Sequence, residues 1–186
     1  MKSPKTDIVE TAQVRSPSTS FELLFLEHWS QIFRLLCRLV GDPSEAEDLT
    51  LETFFRLYQR HPLPENELNV AGWLHRVATN LGLHSIRSFK RRERYELAAG
   101  KFALEETGVD QPPGIIAEQE ERDLARVVLA RMNKRQAQIL LMRHSGMAYK
   151  DIAEALGLSP TSIGPLLLRA ERDFEKRYRV LIQEEP

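Results

Sequence analysis

The sequence predicts an all-α protein: two small helical domains joined by a linker. Three observations carry that expectation. Apolar residues recur at three- and four-residue intervals through most of the chain, the spacing that gathers them on one face of a helix. A stretch at residues 96–115 breaks this periodicity with Gly100, Gly108, Pro112, Pro113 and Gly114, as a connection between domains would. Near the C-terminus, AYKDIAEALGLSPTSIGPLLLRAERDF has the spacing of two helices joined by a tight turn.

Composition bounds the rest. A chain of 186 residues allows one domain or two small ones. With 42% hydrophobic and 28% charged residues it is ordinary for a soluble protein. Its net charge of -1 provides no global basic field, so any nucleic-acid surface must arise from local segregation of charge. No apolar run approaches the roughly 20 residues needed to span a bilayer, and the N-terminus has no apolar secretory core. The single cysteine, Cys37, excludes an internal disulfide and fits the cytoplasm.

Residues 1–20 are polar and carry Pro4 and Pro17, a composition expected to leave a disordered tail. The first domain is expected over 21–95. Phe21, Leu24, Phe25, Trp29, Ile32, Leu36, Leu39 and Val40 form the stripe of an amphipathic helix that ends at Gly41. Asp42-Pro43-Ser44-Glu45 starts the next helix, with a capping Asp, an N1 proline and a glutamate to close a capping box. In that helix Ala46, Leu49, Thr53, Leu57 and Tyr58 are expected on the core face. Asp48, Leu51, Glu52 and Phe55 lie opposite, and large apolar residues ringed by carboxylates suit a partner surface. The prolines of HPLPENEL, residues 61–68, predict a loop.

A long helix follows from about Val70 to Tyr95. Val70, Trp73, Leu74, Val77, Ala78 and Leu81 form its core stripe. Arg76, Thr79, Asn80, Leu83, Arg87 and Lys90 share another flank, and Arg91 extends its charge. Cations beside polar Thr and Asn can follow a phosphate backbone. After the linker at 96–115, a second domain is expected over 116–180. Its first helices are read at Ile116–Ala130 and Gln136–His144, with Asn133 as a cap. The closing pair is a helix-turn-helix. Ala153 allows close helix crossing, Gly157 turns the chain, and Ile163 returns an apolar face. Ser159 is expected to cap the second helix and Pro160 to begin it. Such a motif places its second helix in a DNA major groove. Gly164 and Pro165 lie inside that helix and are expected to bend or loosen it.

Nothing indicates catalysis. The five histidines form no HExxH or tight ligand cluster, no glycine-rich phosphate loop is present, and no cofactor or metal is expected.

Together these motifs resemble RNA polymerase sigma factors of the sigma-70 family, in the extracytoplasmic-function (ECF) group. GDPSEAEDLTLETFFRLYQR resembles region 2.1–2.2, GWLHRVATNLGLHSIRSFKRR regions 2.3–2.4, and ARMNKRQAQILLMRHSGMAYKDIAEALGLSPTSIGPLLLRAERDF region 4. The resemblance implies a cytoplasmic sigma factor that binds core RNA polymerase through the β′ clamp helices and the β flap. It implies promoter DNA as a second partner, an anti-sigma factor as a third, and no membrane insertion. Asp48, Leu51, Glu52 and Phe55 would dock on the clamp helices. Arg76, Thr79, Asn80, Arg87, Lys90 and Arg91 would take the −10 element and aid strand opening. Ser159, Thr161, Ser162, Arg169 and Arg172 would serve the −35 element. The chain departs from the family pattern at Leu51, where Gln is frequent, and at His84, where Asp is frequent. Met132-Asn133 stands for the usual Leu-Pro, and Gly164-Pro165-Leu166 for a basic or polar run. The residues alone leave two alternatives: a helix-turn-helix regulator acting without polymerase, and an adaptor that binds no DNA.

Overall fold

The structure is a computed structural model that describes residues 17–60, 69–98 and 113–184, with side chains described for 21–60, 69–92 and 118–183. The expected tail up to residue 16, the loop at 61–68 and the middle of the linker, residues 99–112, lie outside the described residues. Seven helices form the described chain: α1 (Pro17–Val40), α2 (Pro43–Gln59), α3 (Val70–Ala98), α4 (Pro113–Arg131), α5 (Lys134–His144), α6 (Tyr149–Leu156) and α7 (Pro160–Glu184). Two boundaries differ from the sequence expectation because prolines open helices. Pro17 begins α1 inside the expected tail, and Pro113 begins α4 inside the expected linker. At its other end α3 continues to Ala98, beyond Tyr95.

Local chemistry sets the helix starts. Asp42 accepts a hydrogen bond from the Glu45 backbone at 2.6 Å, with Pro43 in the first turn of α2. Asn69 caps α3 by accepting from Gly72 N at 2.6 Å. Asn133 caps α5 through Arg135 N at 2.9 Å.

α1, α2 and the start of α3 enclose the first core. Ile32, Leu35, Leu36, Ala46, Phe54, Leu57, Leu74 and Ala78 are buried together. Phe54 sits against Phe25 and Trp29, with ring centroids 4.9 and 5.9 Å away, geometry worth about 0.5–1.5 kcal/mol per pair beyond burial. Thr50 and Thr53 enter this core because their hydroxyls donate to Ala46 O (2.6 Å) and Leu49 O (2.8 Å) one turn back. The expected core face of α2 is therefore corrected at Tyr58. It is 60% exposed and meets Phe21 edge-on at 5.4 Å, while Phe54 takes the interior position. Gly82 lets α1 and α3 cross closely, since a Cβ there would run into the Leu39 side chain and lie 3.1 Å from Leu36 Cδ2.

The helix-turn-helix encloses a second core of Ile139, Met142, Met147, Ile152, Ala153, Ala155, Leu156, Ile163 and Leu167. Gly157 is left-handed at φ 64°. Leu158 N donates to Ala153 O at 2.8 Å and Gly157 N to Glu154 O at 3.2 Å, which satisfies the last carbonyls of α6. Ser159 directs its hydroxyl to that of Thr161, 2.8 Å away. α7 continues unbroken through Pro165, contrary to the expected loosening. The proline is solvent-exposed, while Ile163, Leu167 and Ala170 anchor the opposite face of the helix.

A third core joins the halves. Leu39, Leu83 and Ile86 from α1 and α3 are buried with Val128, Met132, Ala137 and Ala170 from α4, the α4–α5 junction, α5 and α7. α3 consequently packs against α1, α2, α4, α5 and α6.

Two stability predictions follow from this packing. His75 is 4% exposed and its Nδ1–H donates to Ala71 O at 2.8 Å. Burial lowers its pKa; the Ala71 bond opposes that shift, and the neighbouring His28 adds to it. The unfolded chain therefore takes up this proton more readily than the folded one. Stability contributed by neutral His75 is present above about pH 6.5 and is lost as the pH falls below that value toward the lowered folded pKa. Urea unfolding at pH 7.5 and 5.5 should show this loss, and His75→Gln should reduce it. At Gly164 a Cβ would make only an ordinary 3.8 Å contact with Tyr149 Cε2. Gly164→Ala should accordingly stabilise by up to about 1 kcal/mol through helix propensity, read as a higher urea midpoint.

Candidate polymerase and nucleic-acid interface

The candidate residues occupy three surfaces. On α2, Leu51 (49%) and Phe55 (53%) stand exposed one turn apart, with Asp48 beside them. Glu52 pairs with Arg56 at 2.8 Å along the same helix, which holds its carboxylate to one side of the two apolar side chains. Tyr58 extends the stripe by a further turn, and the sequence reading missed it by assigning it to the core. α1 and α3 pack against α2, and among the described residues Leu51 and Phe55 stay exposed on it.

The α3 flank, expected to follow a phosphate backbone, packs against α4, α5 and α6. Leu83 is fully buried, and the second domain lies on the flank. Thr79 is fully buried and its hydroxyl donates to His75 O at 2.8 Å. The Asn80 side-chain oxygen accepts from Gln138 Nε2 at 3.0 Å. Arg76 Nη1 donates to Ala155 O at 3.0 Å. Arg87 donates through Nε to Ala130 O and through Nη2 to Met132 O, both at 3.0 Å. Lys90 and Arg91 remain exposed. Beside this flank, Arg56, Arg60, Arg76, Lys134 and Arg135 line a cleft between the halves. Trp73 forms part of the same wall, half-buried, with the Arg60 guanidinium 5.8 Å from its ring centre.

On the helix-turn-helix, Ser159, Thr161, Arg169 and Arg172 are exposed and Ser162 is half-buried. Leu168 is also exposed between the hydroxyls and the arginines. The turn before α6 is held by Arg143, which lies 5.3 Å from the Tyr149 ring centre and donates to Met147 O at 3.1 Å. The hydroxyls thus sit at the start of α7, and the cations sit one to two turns further along. Among the described residues, no group of His, Cys, Asp or Glu is placed to hold a metal ion, and no helix is long and apolar enough to cross a membrane.

Comparison with known proteins agrees with this division. The family model for Sigma-70 region 2 matches residues 24–93, and that for Sigma-70 region 4 matches residues 122–173. The ECF RNA polymerase sigma factor SigE of Mycolicibacterium smegmatis is 28% identical over 156 residues, spanning 82% of this chain and 59% of that protein. The RNA polymerase sigma-H factor of Pseudomonas aeruginosa is 24% identical over 186 residues, spanning 95% of both. In fold, the chain is similar to the sigma factor RpoE from Bartonella quintana, solved with the anti-sigma factor NepR. That match has a TM-score of 0.53 and 18% identity, and covers 87% of this chain and 98% of that one. It is similar also to CnrH in complex with the cytosolic domain of CnrY, with a TM-score of 0.57, 14% identity and 92% coverage of both chains. With region 2 on α1–α3 and region 4 on α4–α7, and with ECF factors among its relatives, the chain belongs to the sigma-70 family of RNA polymerase sigma factors, in its ECF group.

Proposed function

We propose that this chain is a cytoplasmic initiation factor that binds core RNA polymerase and directs it to promoters by recognising −10 and −35 elements and aiding strand opening. The observation that carries this reading is the order of the two sigma regions along one chain, combined with an exposed apolar face on α2. A regulator acting without polymerase has no use for that face, and an adaptor that binds no DNA has none for the helix-turn-helix. The role is non-catalytic: binding energy selects the start site and favours the open duplex. An anti-sigma factor is a further partner, of the same class as the NepR bound to the structural neighbour RpoE. Run-off transcription with purified core polymerase on genomic fragments tests the reading, and absence of any chain-dependent transcript would overturn it.

Within this function, Asp48, Leu51, Glu52 and Phe55 engage the β′ clamp helices, and Tyr58 lies at the edge of that contact. Region 4 lies against the β flap. Arg76, Arg87, Lys90 and Arg91 meet phosphates of the −10 region, while Thr79 and Asn80 shape the segment that favours strand separation. Ser159, Thr161 and Ser162 approach the −35 element at the start of α7, with Arg169 and Arg172 on its backbone. None of these exposed groups near the start of α7 offers the bidentate fork or amide that discriminates bases in the major groove. Phosphate contacts and DNA shape therefore dominate at −35.

Two outcomes are expected. Phe55→Ala should weaken core-polymerase binding by about 2 kcal/mol, the scale of a buried aromatic anchor, with unchanged circular dichroism; competition against labelled wild-type protein for limiting core measures it. On an active promoter, randomising the −35 element should reduce transcription modestly, whereas randomising −10 should abolish it. A selection returning a sharp, base-specific −35 motif would contradict this division of labour.

A further inference from the structure

The outward face of α7 is apolar at its centre. Ile163, Leu167 and Ala170 lie on the buried side of the helix. At about 100° per residue, Thr161, Pro165, Leu168 and Arg172 fall within about 60° of one another on the opposite side. All four are exposed. Thr161 opens this stripe, with its hydroxyl 2.8 Å from that of Ser159, and Arg172 closes it. Between them stand Pro165 and Leu168, the latter 48% exposed, and neither side chain has a hydrogen-bonding atom. Pro165 also lacks the backbone N–H. Tyr149 flanks the stripe and is 41% exposed. Its Cε2 lies 3.8 Å from where a Cβ on Gly164 would stand, so the ring rests along α7 about one turn before Leu168.

Bases differ in what they present to such a surface. In the major groove every base offers hydrogen-bonding atoms, and thymine alone adds a methyl group, at C5. An apolar side chain pressed on a polar base edge strips its water and returns no partner. Pressed on a methyl, it removes apolar surface from water. We propose that Leu168, with Pro165 beside it, reads the −35 element through the thymine C5 methyl: thymine is the base that this helix selects, and Leu168 is the residue that selects it. One such contact corresponds to about fourfold in affinity, the scale of burying a single apolar carbon. A preference of that size at one or two positions leaves phosphate contacts and DNA shape with most of the −35 affinity. The inference rests on the assignment of the helix-turn-helix to the −35 element, and adds to that assignment two side chains outside its hydroxyls and arginines.

The test uses holoenzyme assembled from core polymerase and the full chain. The probe is a promoter active in run-off transcription, with its −35 element randomised. It is prepared once with thymine and once with uracil confined to the randomised segment; uracil differs from thymine only in lacking the methyl. Promoter molecules retained by the holoenzyme are sequenced. In the thymine library, one or two positions should be enriched in thymine by about fourfold. In the uracil library the same positions should show no enrichment. Leu168→Ala should erase the thymine enrichment while retention persists. Leu168→Gln supplies the amide that pairs with adenine N6 and N7, so adenine should replace thymine, and equally in both libraries. Both substitutions fall at an exposed position and leave the buried side of α7 unchanged. Selection by DNA shape alone would favour A·T pairs with and without the methyl, and that result would overturn the proposal. So would guanine or cytosine enriched in place of thymine, no enrichment at any position, or thymine enrichment that survives Leu168→Ala. Absence of transcription from every genomic fragment would instead count against the sigma-factor reading.

Discussion

The arrangement depends on α3 serving two interiors at once. One side of the helix completes the first core with Leu74 and Ala78, and further along Leu83 and Ile86 enter the core shared with region 4. Apolar burial at about 25 cal/mol per Å² is non-directional and would tolerate sliding of the two halves. Directional bonds fix their register. Arg76, Asn80 and Arg87 make contacts spaced about one and two turns apart along one helix, and these draw strength from the partly dry surroundings that the seam creates. Gly82 belongs to the same constraint, because the close approach of α1 brings Leu39 into the shared core beside Leu83.

Most of the helical plan was legible because its signals are local. Asp42-Pro43, Asn133 and Ala153-x-x-x-Gly157 each set a helix end through bonds within a few residues. The exposed pair Leu51 and Phe55 was legible by phase alone. Tyr58 was misplaced because the buried arc of α2 is centred nearer Phe54 and Thr50 than the stripe suggested. Thr50 hid that arc, since a hydroxyl bonded to the preceding turn lets a polar residue read as surface while lying in the core.

The packing of the α3 flank was not legible in the sequence, and the cause is non-local. Charge and polarity suggested a phosphate-seeking surface, but no sequence spacing states which neighbour of the protein itself packs on it. One signal was available: Thr79, Leu83 and Ile86 recur at four- and three-residue spacing on the flank, and apolar groups in that rhythm mark a buried stripe. At the helix-turn-helix, Gly164-Pro165 looked disruptive by propensity, yet tertiary anchoring through Ile163, Leu167 and Ala170 keeps α7 continuous. Packing of an amphipathic face outweighs single-residue preference in such a helix.

The acceptors that hold Arg76 and Arg87 are main-chain oxygens of Ala155, Ala130 and Met132, and Asn69 and Arg126 likewise donate to the backbone of Asp151 and Arg38. A carbonyl is present whatever side chain its residue bears. Apart from Gln138 and Arg126, whose own side chains bond region 2, region 4 can therefore exchange surface residues without erasing the hydrogen bonds by which region 2 grips it. Divergence of the region 4 surface and retention of its packing on region 2 are, in this architecture, separable evolutionary variables.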